Sequence, residues 1–266
     1  TFLALVFSSA SLAQHTNILI DDVGSFYPPE EPSIIIDPKN TDHLVAGSNI
    51  DNYYISTDGG QTWEKGNLSS TYGVWGDPVL IVDTAGSYYF FHLSNPDVGN
   101  WIDRIVCQKL DSISGTWSNG TYMGLNGTKA QDKEWATVDR SNNNIYVTWS
   151  QFDDYGSSNP NDFSNILFSR STDGGETWTD ALQINQVSGD CIDSDNTTEG
   201  VFPAMGPNGE IYVAWAGPEG LVFDRSTDQG ETWLGDDIFI SDIPEGWDYD
   251  IPGIYRANGL PVTVCD

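Results

Sequence analysis

Five acidic segments each stand just ahead of an apolar run: Glu30-Glu31-Pro32, Asp77-Pro78, Asp132-Lys-Glu134-Trp135, Glu199 ahead of Pro203, and Asp248-Tyr-Asp250-Ile-Pro252. Carboxylates gathered from such segments can do two kinds of chemistry. They can hold Ca²⁺ through hard oxygen ligands, or they can serve as acid and base on a glycosidic bond. For hydrolysis the candidate pair is Asp77 with one of Asp132 or Glu134, because crowding raises one carboxyl pKa, as a general acid requires. A retaining pair would sit roughly 5 Å apart and an inverting pair about 6.5 to 9.5 Å. Tyr27, Trp75, Trp135, Trp247 and Tyr249 accompany these segments. Their rings either stack on sugar faces or pack between structural units; packing is the expectation for Trp135, and both uses stay open for Trp75 and Trp247. Trp75, Trp247, Tyr249 and Asp250 are the candidate substrate contacts. The competing explanation for all the carboxylates is solvated loops in a very acidic chain. A second acidic cluster, Asp190 to Glu199, offers Asp193, Asp195 and Glu199 as a small Ca²⁺ loop, without the glycine and spacing of an EF-hand.

An internal repeat positions these segments. Ser56-Thr-Asp58-Gly-Gly60-Gln-Thr62-Trp63 recurs as Ser171-Thr-Asp173-Gly-Gly175-Glu-Thr177-Trp178 and Ser226-Thr-Asp228-Gln-Gly230-Glu-Thr232-Trp233, with a degraded copy at Ser114-Gly-Thr-Trp117. The four tryptophans step by 54, 61 and 55 residues. In the same register Pro32–Asp37, Pro78–Asp83, Trp135–Asp139, Pro203–Pro207 and Pro252–Arg256 each open a unit. The first four are followed by a turn and a β-rich run: His43–Gly47, Ser87–Phe91, Ile145–Trp149 and Ile211–Trp215. A variable loop, a third strand, the octapeptide as a turn and a fourth strand complete the unit. Four strands per repeat is the pattern of a β-propeller blade, so the expected fold is all-β. In the octapeptide the Asp is expected to accept hydrogen bonds from turn amides, the second Gly to supply a positive φ, and the Trp to cap the blade edge.

The chain of 266 residues is 38% hydrophobic and 12% aromatic, with 27 Gly, 13 Pro and 2 Met, which favours short strands and tight turns over long helices. Lys plus Arg number 10 against 39 Asp plus Glu, a formal charge of −29 that a nucleic-acid backbone or an anionic bilayer would repel. Nucleic acid is therefore excluded as a partner, and no apolar stretch is long enough to span a bilayer. The apolar run Phe2–Phe7, followed by small residues through Ala13, reads as the back half of a secretion signal over residues 1–13, ahead of a lead-in at 14–29. Export is thus the expectation, with the alternative of a buried N-terminal strand. Cys107, Cys191 and Cys265 are an odd number whose pairing spacing does not settle. His15, His43 and His92 are too scattered for a zinc site, and no P-loop or G-x-S-x-G elbow occurs. Four N-glycosylation sequons, at Asn67, Asn119, Asn126 and Asn196, matter only on a eukaryotic secretory route.

The pattern S-x-D-x-G-x-T-W resembles the Asp box, or BNR repeat, of sialidases and other carbohydrate-active propellers, over residues 30–266. The resemblance marks Asp58, Gly60, Trp63, Asp173, Gly175, Trp178, Asp228, Gly230 and Trp233 as structural Asp-box positions. It implies a six-bladed ring, roughly 330 residues at this repeat length, with blades starting near 32, 78, 135, 203 and 252. About four and a half blades are then present, and the chain reads as part of a longer one. It further implies boxes on one rim, and a ligand site on the other, built from the segments before each first strand and between second and third strands. Carried to function, it implies a secreted, monomeric, carbohydrate-active protein of the glycoside-hydrolase type acting on extracellular glycans or glycoproteins. The alternative is a non-catalytic surface propeller that binds glycan or protein, with Ca²⁺ as the one cofactor considered. One departure bears on sialidase activity itself. The family's opening arginine motif falls here on Phe26-Tyr-Pro-Pro-Glu-Glu-Pro32, which has no Arg, and of five arginines only Arg256, on the fifth opening segment, is expected near the site. An anionic sugar facing a ring of carboxylates would bind badly.

Overall fold

The computed structural model describes residues 16–22, 29–192, 194, 196–243, 249–254 and 257–266. They form four four-stranded antiparallel sheets, each a simple meander of consecutive strands. Blade one holds β1 (Ser33–Ile36), β2 (Leu44–Ser48), β3 (Asn52–Ser56) and β4 (Glu64–Asn67). Blade two holds β5 (Val79–Val82), β6 (Tyr88–Leu93), β7 (Ile105–Leu110) and β8 (Thr121–Met123). Blade three holds β9 (Ala130–Val138), β10 (Ile145–Phe152), β11 (Ser164–Ser171) and β12 (Leu182–Gln183). Blade four holds β13 (Glu199–Met205), β14 (Ile211–Gly217), β15 (Gly220–Ser226) and β16 (Ile238–Ser241). The first strands lie side by side in chain order, β1 by β5, β5 by β9 and β9 by β13. This is the blade arrangement of a propeller, and the sheets do not close into a ring among the described residues.

Stacking buries both faces of the inner strands, which explains why they read as unbroken apolar runs. On β5, Leu80 and Val82 enter the core shared with blade one, while Val79 and Ile81 enter the core shared with blade three. Likewise Tyr88 and Phe90 of β6 face one neighbour and Tyr89 and Phe91 the other. A third core, around Tyr146, Phe168, Val213 and Trp215, joins blades three and four. The fourth strands are polar or short, and β4, β12 and β16 are largely exposed.

The repeated octapeptides form the expected turns. In blade three, Asp173 Oδ1 accepts hydrogen bonds from Ser171 Oγ at 2.7 Å and from the amides of Glu176 and Thr177, and Ser171 Oγ accepts the amide of Gly175. The same bonds recur around Asp58, and around Asp228 except that the Glu231 amide there bonds the Asp228 main-chain carbonyl. These bonds hold each carboxyl down at about 2: the Thr62 and Thr232 hydroxyls lead at Asp58 and Asp228, and at Asp173 burial is overcome by the Thr177 hydroxyl and amide. The tryptophans do more than cap an edge. Trp178 packs on Phe91 of blade two and donates to Thr121 Oγ1 of β8 at 2.9 Å, and Trp233 packs on Phe168 of blade three. Trp117, from the degraded copy, meets Tyr53 of blade one in the same way. From the second blade on, the box tryptophans are therefore cement between a blade and the one before it.

Two expectations about strand limits change. β9 begins at Ala130 and β13 at Glu199, so Asp132, Glu134 and Glu199 lie within first strands, where bulges against β10 and β14 interrupt the ladder. The opening segment expected near 252 is a turn over its described residues, with Ile254 N donating to Ile251 O at 3.0 Å.

Candidate functional site

Strand register separates the two rims. Leu44 pairs with both Ile36 and Ser56, which puts the blade-one box at the end of the sheet opposite Ser33, Gly47 and Asn49. At that opposite end the chain makes the same unusual turn in every blade. Counting six residues back from Asp37, Asp83, Asp139 and Gly206 reaches Glu31, Asp77, Lys133 and Gly200. Their φ values are 50°, 53°, 51° and 77°. Three non-glycine residues in the left-handed region at equivalent places are a repeated device, since such a conformation persists only where its surroundings over-determine it.

The device brings three charges from three blades together. Lys133 Nζ lies 2.8 Å from Asp77 Oδ2 and 3.7 Å from Glu31 Oε1. Asn49, at the end of β2, ties the two acidic blades together: its Nδ2 donates to Glu31 Oε2 at 2.6 Å, and its Oδ1 accepts the Asp77 amide at 2.8 Å. Burial, and then the hydrogen bond and charge of Asp77, push the Glu31 carboxyl above the usual carboxylate range. Burial works against the Lys133 ammonium, but the charges of Asp132, Asp77 and Glu31 outweigh it and hold its pKa above the ordinary lysine value.

Two cavities share this charged wall. One, about 400 Å³, is bounded by Glu31, Asp77, Asp132 and Lys133 on one side and by Trp75, Trp101 and Tyr155 on the other. The three rings meet edge to face, Trp75 on Trp101 at 6.3 Å and Trp101 on Tyr155 at 5.7 Å, and Trp75 and Trp101 remain 40% and 46% exposed. The second, about 330 Å³, lies against Pro78, Val79, Glu134, Trp135 and Leu260. Glu134 is 1% exposed, and no other residue hydrogen-bonds either of its oxygens. Burial first, and the charge of Asp77 second, push its pKa well above the usual carboxylate range.

Of the sequence candidates, Asp77, Asp132, Glu134 and Trp75 thus converge. Trp135 reaches the second cavity, yet its main contact is Phe202 of the next blade at 4.7 Å, the packing expected of it. Tyr249 is half-buried, with its amide donating to Ala257 O at 2.8 Å, and Asp250 is exposed; neither lines either cavity. Trp247, Arg256, Tyr27, Asp193 and Asp195 lie outside the described residues. Glu199 is buried at the start of β13. Among the described residues no group of three or more His, Cys, Asp or Glu is arranged to hold a metal ion, so no step is assigned to Ca²⁺. Arg170 bridges boxes on the far rim, bonding Gln229 O and Glu231, and Arg104 forks onto Asp103 beneath Tyr122. The residues that sequence reasoning missed are Lys133, Asn49, Trp101 and Tyr155. Lys133 carried a signal in its place six residues ahead of Asp139, and Asn49, Trp101 and Tyr155 only that of their segments, the connections between second and third strands.

No protein-family model matches the sequence, and no curated protein matches it. Solved structures do share its fold. A protein of unknown function from Dyadobacter fermentans superposes with a TM-score of 0.54 at 15% identity, covering 76% of this chain and 66% of that one. A leech intramolecular trans-sialidase gives 0.57 at 12% identity, over 85% and 53% of the two chains. A polysaccharide lyase of family PL25, an ulvan lyase, gives 0.52 at 15%, over 89% and 62%. The chain spans about half to two thirds of the length of these structures. Among the described residues no helix is long and apolar enough to cross a membrane. What the likeness shows is the fold: this chain is built as the blades of a sialidase-type β-propeller.

Proposed function

We propose that this chain is an exported, carbohydrate-active propeller that acts on extracellular glycans through the rim opposite its Asp boxes. The observation that carries this reading is the meeting of Glu31, Asp77 and Lys133, from three blades, beside an exposed aromatic wall. Rings such as Trp75 and Trp101 offer flat faces to sugars, and convergent carboxyl groups bond their hydroxyls. In hydrolysis Glu31, whose carboxyl keeps its proton to higher pH, is the general acid toward the leaving oxygen. Asp77 is the carboxylate that activates water or attacks the anomeric carbon, with Lys133 balancing its charge. Asp132 lines the same cavity, and Glu134 lines the neighbouring one. The solved sialidases and ulvan lyase of this fold are glycan enzymes by name, which agrees with the reading.

The test is turnover of a glycan panel by the wild type, Glu31→Gln, Asp77→Asn and Trp75→Ala. Hydrolysis that falls at least about 100-fold in both carboxyl variants, with binding retained, supports catalysis. Undiminished turnover in both removes the pair from that role. A specific observation favours a second reading, a non-catalytic glycan binder: Asp77 is already ion-paired to Lys133 and its amide is held by Asn49. Binding that depends on Trp75, without turnover of any glycan, selects it. Sialosides are expected to be poor ligands for either, because Lys133 is the single cation among the described residues lining the two cavities and is itself paired.

A further inference from the structure

The connection from β6 to β7, residues 94–104, carries Trp101 to the aromatic side of the first cavity. At its centre lies Asp103, 1% exposed, with both oxygens engaged. Its Oδ1 accepts from Ser94 Oγ at 2.9 Å and Arg104 Nε at 2.7 Å, and its Oδ2 from Asn100 N at 3.2 Å and Arg104 Nη2 at 2.9 Å. The two residues flanking Trp101 are thereby fixed. Asn100 is held by Asp103, while Ile102 N donates to Ser94 O at 2.9 Å and Ile102 O accepts Gln131 N of β9 at 2.7 Å. Ile102 sits at φ 46°, a conformation that a β-branched residue keeps only where its surroundings over-determine it. Gly99 folds so closely over the pair that a Cβ there would come within 2.8 Å of Asp103 Oδ2.

Arg104 reaches the segment of the other tryptophan. Its guanidinium lies over Tyr72 and Tyr122, 5.4 and 4.7 Å from the ring centres. Tyr72 O accepts Asn95 N at 3.0 Å, and three residues further on Trp75 N donates to Leu93 O at 2.9 Å. The segment bearing Trp75 and the loop bearing Trp101 therefore share one support. The outcome is a corner, with the two rings meeting at 89° across 6.3 Å. Neither Asp103 nor Arg104 lines either cavity. Stability alone explains such a buried pair poorly, because apolar groups of similar volume often serve as well.

We propose that Asp103 and Arg104 are positioning residues for ligand binding: they hold Trp101 at a right angle to Trp75, so that the corner between the two rings grips a sugar residue. The ligand class rests on the glycan reading above. The proposal adds to it two residues that touch no ligand and act through Trp101.

The experiment pairs two measurements on the whole chain. One is fluorine NMR of fluorotryptophan-labelled protein, with the Trp101 line assigned through Trp101→Phe. The other is titration calorimetry with a neutral glucose oligomer, an N-acetylglucosamine oligomer and a uronate oligomer. Arg104→Met is expected to shift or broaden the Trp101 line and to weaken whichever oligomer the wild type binds on the order of tenfold, about the cost of Trp101→Ala. In the Trp101→Ala background the same Arg104→Met change is expected to cost less than about twofold, since nothing is left to position. Arg104→Lys keeps the charge and loses the fork; it is expected to move the same line, and it is the variant to read if Arg104→Met fails to fold. An unmoved Trp101 line in a folded Arg104 variant overturns the proposal, as does a binding loss that persists in full without the Trp101 ring. Binding of no oligomer by the wild type overturns the glycan reading, and the Trp101 line then decides the positioning role by itself.

Discussion

Replacing Lys133 by Met isolates what holds the three blades together at the site. Methionine keeps the length and apolar stem of the side chain and fits the backbone at φ 51° as well as lysine does, so the change removes little but the charge. Lys133 and Asp77 side chains are both 17% exposed and their charged atoms lie 2.8 Å apart. At an effective dielectric constant of about 20 that contact is worth roughly 6 kcal/mol before the cost of desolvating the ammonium. The contact with Glu31, at 3.7 Å and with that side chain 47% exposed, counts for much less after solvent screening. Breaking a largely buried pair by removing one partner costs about 3 to 5 kcal/mol, and the lower figure suits this half-open site. Urea unfolding at pH 7.5 should therefore show Lys133→Met less stable by about 3 kcal/mol. The sign of the pH dependence follows from what remains. Without the ammonium, Glu31 and Asp77 are adjacent carboxylates that repel when charged, and they cease to repel as pH falls and they take up protons. The deficit should thus shrink at pH 4.5. A variant as stable as the wild type at pH 7.5, or one equally weakened at both pH values, would refute the account of the site as a charge cage.

Two further predictions concern the scaffold. His92 is completely buried, its Nδ1 and Nε2 facing Leu93 O and Gln108 Oε1, and burial lowers its pKa to about 4 despite both bonds. The unfolded chain binds the extra proton below about 6.5, so this group's contribution is full above that pH and falls as pH drops toward 4; relative to His92→Gln, the wild type should lose about 2 to 3 kcal/mol between pH 7.5 and 4.5 by denaturant titration, and a constant difference would contradict it. Asp173→Ala strips acceptors from the Glu176 and Thr177 amides and loosens Trp178 between blades, so it should lower the melting temperature more than Asp58→Ala, whose Trp63 bonds only its own Gly60 O. Equal losses in calorimetry would deny the tryptophan its role between blades.

The register Glu31, Asp77, Lys133 shows where reading a sequence succeeds and where it stops. The repeat pointed to this rim, where Asp77, Asp132 and Glu134 stand out as carboxylates just ahead of the opening runs and Trp75 as an aromatic beside them. Lys133 was passed over between two acids, although counting back from the turn aspartates aligns it with Glu31 and Asp77. Asn49, Trp101 and Tyr155 sit in connections between second and third strands, which differ in length and content from blade to blade. Nothing in them repeats, so nothing in the chain order announces that Trp101 of one blade meets Tyr155 of the next. The bulges that draw Asp132 and Glu134 into β9 were equally invisible, because a bulge is a mismatch between two strands and is not encoded in either alone.

Chain order alone sets the four-stranded unit, the octapeptide turns and the inner strands. These depend on local hydrogen bonds within eight residues and on short unbroken apolar runs, both of which are written in chain order. The tertiary structure decided which charges meet. Whether a carboxyl becomes a partner of Lys133, like Asp77, or a buried group with a raised pKa, like Glu134, depends on burial and on charges brought within a few ångströms by other blades. Those distances exist only once the blades stack.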